Sequence, residues 1–189
     1  MATQQIQAPQ AAARMTDAAK AFVGSLDDGQ KAKAIYEYMD GERVFWYYPP
    51  MNRHGLALRD MEPAQRELAM AVMASGLTPE SYEQAKLIME HEDVLGPLEK
   101  ERGITSFLRD TELYYFTIFG EPGGDGPWAW RAEGHHISIH FSIWADKVIG
   151  VTPFFFGANP AEVRKGPKNG LRILGGVGAE EEGSDADDL

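Results

Sequence analysis

Apolar residues recur every three or four positions through much of the N-terminal half, which is the spacing of one face of an α-helix. The first predicted helix starts at a cap formed by Thr16, and the second follows the acidic residue Asp27. Proline at the first helical position opens two more helices, which Gly76 and the Gly-Pro pair at 96–97 end. The predicted helices cover residues 16–26, 28–38, 63–75 and 79–95.

From Leu113 onward, the pattern changes to β-branched and aromatic residues that alternate with small or polar ones, which is typical of strands. The four segments are LYYFTIFG, WAWRAEG, HHISIHFSI and VIGVTPFFFG. Short connections between them predict an antiparallel meander. Helices followed by strands predict an α+β fold, in which N-terminal helices pack on one face of a C-terminal antiparallel meander of about four strands.

Two stretches between the helices are less regular. VFWYYPP, residues 44–50, is predicted to form a short strand or an extended segment that its two prolines end. MNRHGLALRDM, residues 51–61, is predicted to be a loop with a short extended piece.

The length of 189 residues and the hydrophobic fraction of 43% suit one globular domain. Residues 1–15 are rich in Gln and Ala without a clear apolar period, and the last ten residues, EEEGSDADDL, carry six of the acids. The expected organisation is therefore a disordered tail over 1–15, a single α+β domain over 16–174 and an acidic disordered tail over 175–189.

Charge and composition limit the partners. Without the six acids of the last ten residues, the net charge of −11 becomes −5, and no basic patch is interleaved with aromatic residues, so no nucleic-acid partner is expected. No run approaches the ~18 apolar residues of a membrane span. The start, MATQQIQAPQ, has no signal-peptide pattern, and the chain has no cysteine, so a cytoplasmic location is the default and thiolate chemistry is excluded.

The candidate chemistry lies in EGHHISIHF, which contains three of the five histidines. On an uninterrupted strand, His135 shares the apolar face with Ile137, whereas His136 and His140 lie on the other face. Residues four apart on a strand are ~13 Å apart, so His136 and His140 cannot bind one metal ion. Residues two apart are ~7 Å apart, which makes Glu133 and His135 a usable pair.

Glu133 and His135 could be two ligands of a divalent metal or a base with its orienting partner. A bulge at Gly134 would instead place His136 beside Glu133. Three interpretations stay open: a metal site, a polar pocket without metal, and a buried Arg131–Glu133 pair with the histidines bonded to the backbone.

Other polar residues give weaker signals. His54 is predicted to be a surface loop residue, and His91 is predicted to face solvent on a helix. Asn159 precedes Pro160 and is predicted to cap a helix whose N-terminus would suit an anion.

Five blocks of sequence occur together: SLDDGQKAKA, FWYYPPMNRHGLALRDM, ELYYFTIFGEP, PWAWRAEGHHISIHF and TPFFFGANPAEVRKGPKNGLRIL. From about Leu26 to Leu174, they resemble the family catalogued as domain of unknown function 3500. The resemblance implies common descent and a shared fold, and it brings no catalytic residue with it. Family members usually have asparagine where His140 stands, which leaves Glu133, His135 and His136 as the matching positions.

Family members also usually continue for a long second half beyond the position of Leu174. The resemblance therefore implies a chain that is shortened at its C-terminus. If the missing part packs against the sheet, an apolar face is exposed and self-association is expected.

The expected function is small-molecule binding, with or without catalysis. Glu133 with His135 or His136 would be the acid–base pair or would hold the metal, and Arg53, Arg131 and Asn159 would orient an anionic or polar substrate. The alternative is a non-catalytic structural or interaction module. A site requires Glu133 and a histidine to converge on a cavity, whereas the alternative expects them apart or used in structural bonds.

Overall fold

The computed structural model describes residues 8–164 and 168–174, and within them the helices come before the long strands. The helices that these residues form are α1 Ala8–Ser25, α2 Asp28–Ala34, α3 Pro63–Gly76, α4 Pro79–Glu90 and α5 Glu92–Glu101. Two short 3-10 helices, Gly41–Val44 and Leu58–Asp60, lie between α2 and α3. None of the described helices is both long and apolar enough to cross a membrane.

The long strands form the predicted antiparallel meander, which confirms the α+β fold. They are β3 Tyr115–Phe119, β4 Trp128–Gly134, β5 Ile137–Trp144 and β6 Lys147–Phe156. Two short strands extend the sheet beyond β3: β1 Ile35–Tyr36 pairs with it in parallel, and β2 Leu56–Ala57 pairs with it antiparallel. The sheet is therefore mixed, with the order β1-β3-β4-β5-β6 and β2 on β3.

The first helix begins at Ala8, so the predicted start at Thr16 is wrong. Ala12 and Met15 are buried in the core, and the Thr16 hydroxyl donates to the Ala12 carbonyl oxygen at 2.9 Å inside the helix. Alanine is the strongest helix former, which explains why the Ala-rich segment from residue 8 is helical. Residues 1–7 and 175–189, which the sequence assigns to the tails, lie outside the described part of the chain.

The second helix has the predicted cap, because the Asp27 carboxylate accepts from the Gln30 backbone N–H at 2.7 Å. It ends at Ala34 rather than near residue 38, because the chain there joins the sheet as β1. The predicted break at 96–97 is wrong, since α5 runs through both residues and the break lies at His91. A β-carbon at Gly96 would lie 3.2 Å from Cβ of Arg109, so this glycine permits close packing.

Different parts of the chain pack on the two faces of the sheet. One face carries the large apolar side chains of β4 and β5 and joins a single core with α1, α3 and α4. Gly76 at the end of α3 packs on the stacked rings of Trp130 and Phe141, whose centroids are 4.9 Å apart. The opposite face carries polar side chains, and residues 42–54, hereafter loop 42–54, cover it.

Candidate functional site

The strands β4 and β5 are joined by a tight turn at His135 and His136. Gly134 pairs with Ile137, and His136 has a positive φ of 58°. The prediction that strand alternation continues through residue 135 is therefore wrong, because the chain reverses there. Glu133 and His135 consequently point to different partners and form two separate clusters.

The first cluster surrounds Glu133 on the polar face of the sheet. Its side chain is 1% exposed, and Oε1 accepts from the Ser138 hydroxyl at 2.9 Å and from the Tyr47 backbone N–H at 2.8 Å. His140 Nε2 lies 3.2 Å from the Ser138 oxygen. Because Ser138 gives its only proton to Glu133, His140 donates to Ser138. The carboxylate is thus used in structural bonds.

Two buried arginines tie loop 42–54 to this cluster. Arg131 donates to the carbonyl oxygens of Glu42, Phe45 and His54 at 3.1–3.2 Å and to the Glu42 carboxylate at 2.9 Å. Arg53 lies with Nε 3.5 Å from Glu133 Oε2. Arg53 also donates to the loop carbonyl oxygens of Tyr47, Pro49 and Met51 and to the carbonyl oxygen of Gly134.

The electrostatics of this cluster keep Glu133 ionised. Burial raises the pKa of Glu133. The imidazole of His140, the charge of Arg131 and the donors of Tyr47 and Ser138 together lower the pKa by more than burial raises it, so it lies below its ordinary value. Burial lowers the pKa of His140, which favours the neutral imidazole. A carboxylate held in this way is a poor proton acceptor.

The second cluster surrounds His135 at the start of the turn. Its Nδ1 is hydrogen-bonded to Oε1 of Glu92 from α5, and both residues are buried. Arg109 Nη1 lies 3.1 Å from His135 Nδ1, 3.4 Å from Nε2 and 3.5 Å from Glu92 Oε2. Arg109 also donates twice to Glu99, at 2.6 and 2.7 Å. The Tyr114 hydroxyl donates to the His135 carbonyl at 3.0 Å, which fixes the turn.

A pocket of about 220 Å³ opens beside this second cluster. His135, Glu92 and Tyr114 contribute to its polar wall, and Arg53 reaches it from the first cluster. The apolar wall comes from two loops, through Pro50, Met51, Phe107, Leu108 and Leu113. Asn52, Ser106 and Asp110 complete the lining.

The predicted site residues therefore separate. His135 and Arg53 line the pocket, whereas Glu133 and Arg131 lie beneath loop 42–54. The ring of His136 is tilted against that of His135, with ring centroids 4.1 Å apart, and its Nδ1 is buried without a hydrogen bond in the described structure. Burial, followed by the neighbouring His135 and Arg109, lowers the pKa of His136 to about 3.

Of the predictions for the other polar residues, those for Asn159 and His91 are wrong and the one for His54 is confirmed. Asn159 is wrong as a helix cap, because no helix begins within the described residues 157–164. His91 is buried rather than solvent-facing, since it lies at the junction of α4 and α5 with Nε2 3.0 Å from the Pro160 carbonyl oxygen. His54 is a surface loop residue as predicted, with Nδ1 3.0 Å from Glu42 Oε2.

The predicted metal pair is not assembled. Glu133 and His135 have different partners, and no group of three His, Cys, Asp or Glu side chains in the described residues is placed to hold a metal ion. The important carboxylate that sequence reasoning missed is Glu92. Its signal was an acidic residue at an inward position of a helical pattern, where a buried carboxylate needs a partner.

Fold and site together define an α+β protein with a small pocket next to a buried Glu–His–Arg cluster. The chain belongs to the family described as Protein of unknown function (DUF3500), whose model matches residues 8–182. No curated protein and no solved structure matches the chain.

The position of His135 depends on a close approach between Gly134 and Tyr114. A β-carbon at residue 134 would lie 2.1 Å from Cδ1 of the Tyr114 ring, so Gly134→Ala must displace that ring. We expect a loss of about 1–3 kcal/mol in the free energy of unfolding, measured by urea denaturation. Gly24→Ala is the matched control, because it adds a methyl group in open space on α1 and should stabilise by about 0.5–1 kcal/mol. An unchanged stability in Gly134→Ala would contradict the packing described.

Proposed function

We propose that this protein is a small-molecule-binding domain whose binding site is the pocket beside His135. The observation that carries the proposal is an imidazole held by a buried carboxylate in the wall of a pocket. A concave site with a few fixed polar groups and an apolar wall is typical of ligand binding. Glu133, by contrast, is used in structural bonds and is no longer the favoured member of the pair.

The pair that the geometry offers for acid–base chemistry is Glu92 with His135. When Glu92 accepts from Nδ1–H, it fixes the tautomer in which Nε2 is the acceptor nitrogen. Arg109 makes a long contact of 3.4 Å with that nitrogen, so a ligand group that displaces it would gain a proton acceptor. In the enzymatic form of the proposal, Glu92 positions the ring and His135 exchanges the proton.

A fragment screen by ligand-observed NMR tests the proposal. Fragments that bind the wild-type protein should lose binding in His135→Asn, whose amide retains a donor toward Glu92. The same fragments should bind His54→Asn unchanged, since His54 is exposed and is not part of the pocket lining. Both variants are first compared with the wild type by thermal unfolding. Hits that bind His135→Asn as well as the wild type, or a screen without hits, would refute the proposed site.

A second candidate function is self-association through loop 42–54. Phe45, Trp46, Tyr47 and Tyr48 are 40–52% exposed although the buried arginines hold their backbone in place. Rigid display of exposed aromatic rings is typical of interaction surfaces. Sedimentation velocity over a concentration series tests it: this candidate requires an oligomer that Trp46→Ser weakens, and a monomer at every concentration would dismiss it.

A further inference from the structure

The charged side chains that line the pocket are already matched by opposite charges behind its wall. The acidic residues and the arginine of the lining are Glu92, Asp110 and Arg53. Arg53 lies 3.5 Å from Glu133, and Glu92 lies 3.5 Å from Arg109. Asp110 lies 3.5 Å from Arg59. Each of the three charged groups therefore already lies within 3.5 Å of an opposite charge, and Arg109 is shared between Glu92 and Glu99.

A charged ligand would consequently lose its hydration without meeting a free counter-ion. Transfer of an unpaired charge out of water is strongly unfavourable, whereas hydrogen bonds from a neutral ligand to ionised side chains are favourable. From this balance, we infer that the pocket takes an uncharged ligand with both hydrogen-bond donors and acceptors on an apolar body, of which a primary amide on a ring is the simplest form. This inference rests on the proposed function and specifies its ligand class.

Neutral hydrogen-bonding groups are present to recognise such a ligand. The side chains of Asn52 and Ser106 form no hydrogen bond with another described residue, and each can both donate and accept. The Tyr114 hydroxyl uses its proton on the His135 carbonyl and keeps acceptor capacity. Together these groups match an amide or a hydroxyl, which also donates and accepts.

The opposite wall suits an apolar body. Phe107 and Leu108 are 48% and 63% exposed, so a bound ring would remove apolar surface from water. The Arg109 guanidinium lies 5.3 Å from the centre of the Phe107 ring and supports it from one side. The volume of about 220 Å³ lies below the ~300–1,000 Å³ of drug-sized sites. It admits on the order of ten non-hydrogen atoms, because a water occupies about 30 Å³ and bonded atoms occupy less.

Benzoate, benzamide and benzamidine provide a direct test. They share one ring and nearly the same size but carry negative, zero and positive charge. Titrations of the isotope-labelled protein, followed by NMR, give a Kd for each and locate the contact. We expect benzamide to bind about tenfold more tightly than either charged analogue, which corresponds to about 1.4 kcal/mol.

The variant Arg59→Gln provides a second test, in which the protein rather than the ligand changes its charge. It removes the counter-ion of Asp110 at a partly exposed position without changing a residue of the pocket lining. At low ionic strength, the variant should bind benzamidine several-fold more tightly relative to benzamide than the wild type does, because Asp110 is then unmatched. An unchanged ratio would contradict the charge balance.

The outcomes separate the inference from the proposed function. Tightest binding of benzamide, with the shift in Arg59→Gln, supports both. If a charged analogue binds at least as tightly as benzamide, the neutral ligand class is overturned while the pocket remains a binding site. Failure of all three probes, when the fragment screen still gives hits that depend on His135, overturns the ligand class alone. Failure of the probes and the screen together overturns both.

Discussion

Glu133→Gln is expected to lower the free energy of unfolding by about 3–5 kcal/mol. The substitution keeps the shape of the side chain but leaves Arg53 and Arg131 buried without their shared carboxylate, and breaking a buried ion pair from one side costs about that much. Part of the loss should appear locally, because the Tyr47 N–H donates to this carboxylate. Urea denaturation measures the global effect, and hydrogen exchange at the Tyr47 amide measures the local one.

Glu67→Gln is the matched control for this experiment. Glu67 is an exposed residue of α3, where the same chemical change should alter stability by less than about 0.5 kcal/mol. If Glu133→Gln behaves like this control, Glu133 does not hold loop 42–54, and its burial would need another explanation.

Acidification is expected to destabilise the fold progressively below about pH 6.5. The pKa of His136 falls from 6.5 to about 3 on folding, so between these values the unfolded chain binds a proton that the folded chain does not. The contribution of His136 to the free energy of unfolding is therefore fully present above pH 6.5. It falls as the pH is lowered, by about 1.4 kcal/mol for each pH unit, or about 2 kcal/mol at pH 5. Burial also lowers the pKa of His91 and His140, which acts in the same direction.

Urea denaturation between about pH 7.5 and pH 5 measures this slope. The slope reports how many more protons the unfolded chain binds than the folded chain, and His136→Asn should reduce that number by about one. Asparagine tolerates the positive φ of the turn. Equal slopes in the wild type and His136→Asn would show that His136 is not the group that resists protonation.

The fold could be predicted further than the site. Alternation identified β3 to β6 because one face of each strand joins the core, and the capping pattern at Asp27 and the proline at Pro79 placed helix starts correctly. The helix before Thr16 was missed because its period is made mostly of alanine, which gives weak hydrophobic contrast. Short strands such as β1 depend on tertiary pairing and leave almost no local pattern.

The site was harder because its geometry depends on a turn without turn residues. The commonest two-residue hairpins contain Asn-Gly or a similar pair, whereas here two histidines make the connection. Spacing along the chain therefore paired Glu133 with His135, although the turn separates them. The actual partner, Glu92, lies 43 residues earlier in sequence. A contact across that separation follows from the tertiary fold, which places Glu92 beside the turn between β4 and β5, and no local pattern encodes it.

The hydrogen bonds and ion pairs that hold loop 42–54 use its main chain and the side chains of Glu42 and Arg53. Arg53 and Arg131 bind carbonyl oxygens, and Glu133 binds a backbone N–H. Every residue type has a carbonyl group, so the aromatic side chains at 45–48 can be exchanged without removing any of these bonds. The bonds that hold the loop are therefore independent of the aromatic side chains that it exposes. New surface specificities, whether selected in evolution or introduced by design, can arise on this loop while these bonds are kept and the ring contacts of Trp46 and Tyr48 with Phe155 change.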